Sequence, residues 1–425
     1  MEEIRQIPEG WQINSISKLC DIVDYRGKTP KKVDRGTFLV TAKNIRNGKI
    51  DYNISKEYVK TEEYEKIMSR GIPKIGDILI TTEAPLGEVA SIDNDSIALA
   101  QRIIKLSGKK EKLENKYLKY YLLSNEFQKE IKNDATGSTV EGIKGSRLRK
   151  KMIKFPKSIK EQLAISDILY KLDQNIEKTI KIIEKYKKVK NGLMDDLFTG
   201  KIRIKNGEWI EETEFKYVQG IEDIPKDWEN GNVASLASIN PKKDTKKIGK
   251  KDRISFIRME DTSEQAKILN MDDKKLYEVE KGYTNFHEND VLFAKITPCL
   301  ENGKGGLAIG LTNGIGFGST EFHVLRAKRK ESVMFVYQYS KYFRLRKKAT
   351  SLMIGSAGQQ RIGKEFFERY KIGIPSISEQ KAIGEILNKQ DKLIEKEEQY
   401  LQKLQKLKNG LMNDLLTGKK RVKID

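Results

Sequence analysis

Apolar residues fall at three-, four- and seven-residue steps along two stretches of the chain. Ile165, Leu169, Leu172, Ile176, Ile183, Tyr186, Leu193 and Leu197 form one stripe; Ile383, Leu387, Ile394, Leu401, Leu404, Leu411 and Leu415 form the other. Lys and Glu fill the remaining faces, so each stripe is narrow and long. That pattern predicts two long helices of coiled-coil type, because a Leu/Ile seam needs a partner to cover it. The stretches are also copies of one another. Glu161 to Lys205 returns without a gap as Glu379 to Lys423, with about 25 of roughly 45 positions identical. The closeness of the copies favours pairing with each other over packing of each on its own module. Some 37 residues at ~1.5 Å each make a rod of ~55 Å. Both copies stop at Thr-Gly (Thr199-Gly200, Thr417-Gly418), the usual glycine exit from a helix.

Away from these stretches the pattern changes to short apolar runs bounded by turn residues. Gly76-Asp77-Ile78-Leu79-Ile80-Thr81 and Asn289-Asp290-Val291-Leu292-Phe293-Ala294 read as strands, and Glu114 to Asn133 and Ser332 to Thr350 as helices. Ile7-Pro8-Glu9-Gly10-Trp11 recurs as Ile224-Pro225-Lys226-Asp227-Trp228, so both halves open alike. The expected fold class is α+β: two mixed α/β modules with two long helices, as an internal repeat. The expected divisions are a module over 1–155, a helix over 156–200, a charged connector over 201–223, a module over 224–374 and a helix over 375–418.

With 425 residues there is room for two to four cores, and a net charge of +21 points to a polyanionic partner. No apolar run approaches the ~18 residues that span a bilayer, which argues against a membrane. Two cysteines, Cys20 and Cys299, form no disulfide framework and suit the cytoplasm; two histidines, His287 and His323, make a zinc site improbable. Gly27-Lys28-Thr29 lacks the upstream glycine of a phosphate-binding loop, since position 22 is Ile. Gly314, Gly316 and Gly318 read as turn glycines. Asn240-Pro241-Lys242-Lys243 lacks the aromatic that an amino-methyltransferase uses to grip a flipped base. No catalytic constellation emerges, so the chain is expected not to be an enzyme and to hold no cofactor or metal.

The positive signals are electrostatic. Lys144, Arg147, Arg149, Lys150, Lys151, Lys154, Lys157 and Lys160 crowd one segment, and Lys341, Arg344, Arg346, Lys347 and Lys348 another. Phosphate contacts of this kind give affinity without sequence information, whereas base reading needs Arg, Asn, Gln or Glu on loops that reach a groove. The candidate DNA contacts are Arg26, Lys28, Thr29, Lys43, Asn44, Ser138, Thr139, Lys144 and Arg147 in the first half. In the second they are Lys242, Lys243, Arg258, Lys295, Ser356, Gln359, Gln360 and Arg361. For each, a structural role in a turn stands as the alternative.

Taken together, these residues resemble the specificity subunits of type I restriction–modification enzymes, over nearly the whole chain. The resemblance rests on the Ile-Pro-x-x-Trp opening of each half, the Gly76 to Leu79 and Asn289 to Leu292 strands, and the Gly137-Ser138 and Gly355-Ser356 loops. The Glu-Gln starts of the helices (Glu161-Gln162, Glu379-Gln380) and their Lys-Asn-Gly-Leu-Met ends complete it. Gln101-Arg102-Ile103 departs from the pattern that Gly318 to Phe322 follows. The resemblance implies two target-recognition domains, each reading half of a bipartite site in double-stranded DNA. An antiparallel coiled coil would set the spacer, with half-sites about one helical turn (~34 Å) apart. It also implies docking of two methyltransferase subunits that carry S-adenosylmethionine, and of motor–nuclease subunits using ATP and magnesium. Two readings remain beside it: a specificity subunit for a fused methylase–nuclease, and a basic coiled-coil scaffold that binds proteins.

Overall fold

The computed structural model describes residues 7–25, 27, 30–136, 141–245, 248–356 and 358–424. The chain forms two compact units, one comprising 1–180 with 399–425 and the other 181–398. The division passes through both long helices, Ile159–Thr199 and Ile377–Leu416, so each unit holds one module and a segment of each helix.

In the first unit the main sheet is antiparallel, in the order Cys20–Asp24, Ile103–Gly108, Ile78–Thr82, Leu86–Ser91. The second unit repeats it as Ala237–Ile239, Phe322–Ala327, Val291–Ala294, Gly305–Leu307. Each unit adds a second four-stranded sheet containing one parallel pair: Ile97–Leu99 with Thr37–Val40, and Arg253–Ile257 with Ile315–Gly318. The Asp of each strand motif is a structural anchor. Asp77 binds Lys105 at 2.7 Å, and Asp290 takes both Arg326 Nε and Nη2 at 2.8 and 2.7 Å.

Both predicted module helices are broken. Glu114 to Asn133 becomes Asn115–Leu122 and Asn125–Asn133, because Ser124 turns extended and its Oγ accepts from Phe127 N at 3.3 Å. Ser332 to Thr350 becomes Val333–Ser340 and Phe343–Ser351, separated at the extended Tyr342.

The long helices do more than cover each other. In the first unit Ile165 and Leu169 of one helix and Met412, Leu415 and Leu416 of the other join a single core with Trp11, Leu118 and Phe155 of the module. In the second, Met194, Leu197, Ile383 and Leu387 join Phe293, Phe335 and Phe367. Within each unit the helix segments run antiparallel. Asp173 meets Lys408 at 2.6 Å in the first; Lys190 meets Asp391 at 2.5 Å and Lys187 meets Glu398 at 2.7 Å in the second.

The repeated Glu-Gln has a mechanical meaning. Gln162 donates to Pro156 O at 2.9 Å and Gln380 to Pro375 O at 2.9 Å, tying each helix start to the strand before it. The Glu takes the arginine that follows the end of the opposite long helix: Arg421 on Glu161 at 2.6 and 2.9 Å, Arg203 on Glu379 at 2.7 and 2.7 Å. Gly200 and Gly418 have φ of +74° and +73°, and a Cβ there would lie 2.4 Å from Pro225 Cγ and 2.5 Å from Pro8 Cγ. Backbone conformation and close approach both demand glycine. Gly200→Ala is expected to cost about 1–3 kcal/mol, read as a lower urea midpoint.

The connector expected over 201–223 is more ordered than a linker. Ile202–Lys205 and Glu208–Glu211 form a hairpin around Asn206-Gly207, both at positive φ, as a two-residue hairpin turn requires. The hairpin buries Arg203 to 1 % exposure. That guanidinium also binds Asp227 at 2.6 and 3.1 Å and Glu212 at 2.6 Å. It stacks over Trp228 at 5.3 Å, whose Nε1 donates to Glu379 at 3.1 Å.

Candidate nucleic-acid interface

The same three segments meet at one end of the main sheet in both modules. The strand Ile78–Thr82 runs into Glu83 and the cis Ala84-Pro85 bond, and Val291–Ala294 runs through Lys295 and Ile296 to the cis Thr297-Pro298 bond. A second segment lies alongside, through Gly142 bridged to Glu83 in the first module and Arg361 bridged to Ile296 in the second. The third segment is the residue that precedes the neighbouring strand, Arg102 or Glu321.

An arginine–glutamate pair closes each tip, with the order of charge reversed. Arg102 binds Glu83 at 2.8 Å in the first module. In the second, Glu321 stands at the place of Arg102 and receives Arg361 through Nε at 3.0 Å and Nη2 at 2.8 Å. That hydrogen bond raises the Arg361 pKa, so the side chain is a permanent cation at the surface. Neither pair was singled out from the sequence, since the partners lie 19 and 40 residues apart.

In the second module the loop is a hairpin closed by Ile354 and Arg361, each N–H donating to the other's carbonyl at 2.9 Å. Thr297 fixes its far side: its N–H donates to Gln360 O at 3.0 Å, and its Oγ1 accepts from Gln360 N at 2.9 Å. Ser356 and Gln359 are exposed on the tip, Gln360 is half-buried, and Ile354 is 83 % exposed beside them. Lys295 is half-buried at the base, its backbone bonded to Glu321 and Ile362. The structure thus brings Lys295, Ser356, Gln359, Gln360 and Arg361 together. His323 links the tip to the Asn240 loop: one ring nitrogen bonds Ile362 O and the other the Asn240 amide, each at 2.9 Å. Burial pushes the His323 pKa down, so the ring is neutral. Beyond Asn240, Lys242 is exposed, while Lys243 lies over the Phe317 ring and donates to Glu280 O.

In the first module Thr136 and Gly142 close the loop, but Ser138 and Thr139 lie outside the described residues, as do Arg26, Lys28 and Thr29. Lys144, Arg147, Arg149 and Lys150 are exposed on and before the short helix Gly145–Lys150, whose Leu148 is buried. Arg147 also donates to Asp134 O at 3.0 Å. Lys43 is exposed.

Several expectations are corrected. Asn44 is fully buried and is a turn residue: its Oδ1 accepts from Thr41 N at 2.9 Å and its Nδ2 donates to Asp51 O at 3.0 Å and to Ile54 O. Arg258, whose side chain is 41 % exposed, pairs with Asp272 and with Asp261 at 3.5 Å, much as Arg361 pairs with Glu321. Lys151 is buried between Glu130 and Asp134 at 3.0 and 2.7 Å. The basic run over 341–348 does not form one patch. Arg346 is buried, Lys341 turns its ammonium onto Asp391 with 9 % of its side chain exposed, and Arg344 pairs with Asp195 at 2.7 Å, leaving Lys347 and Lys348 exposed.

Among the described residues no group of His, Cys, Asp and Glu is placed to hold a metal ion, and no helix is long and apolar enough to cross a membrane.

Comparison with known proteins adds a family. The family model for the type I restriction modification DNA specificity domain matches residues 8–185 and again 225–406. The specificity subunit of the type I restriction enzyme EcoEI from Escherichia coli is 37 % identical over 163 residues, 38 % of this chain and 27 % of that protein. The chain therefore spans about a quarter of that relative's length. A Methanocaldococcus jannaschii protein, named provisionally as the MjaX specificity subunit of such an enzyme, is 27 % identical across 99 % of this chain and 96 % of its own. The crystal structure of a type I restriction–modification S subunit from M. genitalium has the same fold. It covers 100 % of this chain and 99 % of its own, with a TM-score of 0.58 at 16 % identity. A chain from a structure concerned with complex assembly of the type I system matches with a TM-score of 0.53 at 14 % identity.

Proposed function

Because the chain belongs to the type I restriction modification DNA specificity family, we propose that it is the subunit that chooses the DNA sequence for such a complex. Each module reads one half of a bipartite site in double-stranded DNA through its loop tip. The observation that carries this reading is the second tip itself. Ser356, Gln359 and Arg361 stand exposed on a short hairpin pinned at both ends, and their side chains are of the kind that reads base edges in a major groove. Ile354 beside them offers an apolar contact of the sort a thymine methyl accepts. Lys43, Lys144, Arg147, Lys242, Lys243 and Lys295 would add phosphate contacts, which fix register without carrying sequence. Arg26, Lys28, Thr29, Ser138 and Thr139 keep the same proposed role in the first module.

The paired helices set the spacer and dock two methyltransferase subunits. S-adenosylmethionine, ATP and magnesium belong to those subunits and to the motor–nuclease. This chain contributes selection and placement rather than catalysis, in the cytoplasm where the DNA is. The two modules differ in sequence while the helices nearly repeat, which supports two different half-sites on one docking surface used twice.

The test is selection from randomised duplex DNA by the protein co-purified with its methylating partner. Two short, different half-sites at a constant gap are expected in the bound pool. A pool without a motif, bound in a salt-sensitive way, would leave only the charge and overturn the reading.

A further inference from the structure

The duplicated chain carries its own control for one buried cluster. In the second unit Asp391 binds Lys190 at 2.5 Å, takes Gln338 Nε2 at 2.8 Å, and also pairs with Lys341. The repeat places Asp173 of the first unit in register with Asp391, and Asp173 meets Lys408 at 2.6 Å and Tyr120 Oη at 2.8 Å. Two substitutions then separate the units. Lys341 stands where the first module has Leu123, and Arg346 where it has Gln128. Gln128 donates to Leu122 O at 2.7 Å and Gly87 O at 2.8 Å. Arg346 makes the corresponding contacts, to Ser340 O at 2.9 Å and Leu300 O at 3.1 Å, adds a longer one to Lys304 O at 3.4 Å, and brings a charge. Its guanidinium lies over the Phe293 ring at 4.6 Å, and no carboxylate pairs with it among the described residues. Lys119, the first unit's second lysine near Asp173, is half-buried like Lys341 but lies over the Tyr120 ring at 5.1 Å.

This wall of the second unit therefore sets the buried Lys190 and Arg346, and the Lys341 ammonium on a side chain 9 % exposed, against the single carboxylate of Asp391. A cavity of about 250 Å³ opens on all four. The other acids near it are engaged or exposed: Glu398 binds Lys187 at 2.7 Å, Glu395 binds Lys267 at 3.2 Å, and Glu264 faces solvent. Burial, and then the Lys190 charge, bring the Lys341 pKa down to about 7, and burial brings Arg346 down to about 10. Buried cations in excess call for a counter-charge, and several N–H donors converging on one space suit an ion with several acceptor oxygens. We infer that this cavity binds a small oxyanion of the phosphate class, held by Lys190, Lys341 and Arg346. A free anion and a phosphate carried on nucleic acid share that chemistry.

The test compares thermal unfolding of the full chain in inorganic phosphate and in chloride at equal ionic strength. It uses the wild type with Lys341→Leu and Arg346→Gln, each installing the residue that already stands at that place in the first module. Phosphate is expected to raise the wild-type Tm by about 3 °C or more over chloride, and each variant to lose that rise. Equal Tm values in the two salts, or a full phosphate effect in both variants, would overturn the site. A short duplex DNA, titrated in chloride, separates the sources. Protection that disappears in Lys341→Leu assigns the phosphate to nucleic acid; protection by inorganic phosphate alone assigns it to a free anion.

Discussion

Arg203→Ala is expected to cost the second unit about 3–5 kcal/mol of stability. Arg203 is 1 % exposed and Glu379 beneath it 2 % exposed, so truncation leaves a buried carboxylate held, among the described residues, by the Trp228 N–H alone. Arg421→Ala is expected to cost about 1 kcal/mol, although Arg421 binds Glu161 in the same way. Arg421 is 45 % exposed, and water can replace it on Glu161. The difference traces to Asp227, which stands where the first half has Gly10, and to Glu212 from the hairpin. Urea unfolding, with hydrogen exchange over 200–212 and 377–383, reads both losses. Equal small losses would mean that the buried clasp is dispensable.

The clasp also has a pH signature. The hydrogen bond from Arg203 lowers the Asp227 pKa from 3.8 to about 2. A carboxylate whose folded pKa is depressed stabilises fully above its unfolded value and loses that contribution as pH falls through the folded one. Asp227 should therefore support the second unit down to pH near 4 and cease to do so near pH 2. In Arg203→Ala that acid-dependent part is expected to shrink to what Lys205, 3.3 Å from Asp227, still supplies.

The second large effect concerns recognition. Gln359→Ala with Arg361→Ala is expected to weaken discrimination at the second half-site by about 10–100-fold while leaving the first half-site unchanged. The measurement is the selection experiment repeated with the variant. Loss of affinity spread evenly over both half-sites would make these residues general phosphate contacts. Glu321→Gln supplies the companion measurement: it frees Arg361 while leaving the hairpin bonds to Thr297 in place. If only the geometry of the tip matters, Glu321→Gln and Arg361→Ala should act alike.

The strand motifs, the helix stops and the α+β class were legible because each rests on neighbours in the chain. Periodicity, Thr-Gly exits and Asp-led strands are local properties, and the structure places them within a few residues of expectation. The hairpin in the connector was missed although it has a local signal, Asn206-Gly207 between two alternating runs. It was hidden by the charge of its flanks, which read as linker. The burial of Arg203 had no such local signal. Its three acids come from positions 212, 227 and 379, and only folding brings them to one guanidinium.

By itself the sequence determined the repeat, the span of the two helices, the opening of each half and the positive charge of the whole, because composition and short-range periodicity do not depend on what packs where. Only the tertiary structure decided which of those charges stay available. Lysines and arginines that look alike in one run, from Lys341 to Lys348, end in a buried cluster, in a pair with Asp195, or in solvent. Asn44 likewise turned inward, to satisfy backbone groups that would otherwise be buried unpaired. The reason is the same in each case: the cost of burying a polar group is set by partners distant in sequence, and those partners are fixed by the fold.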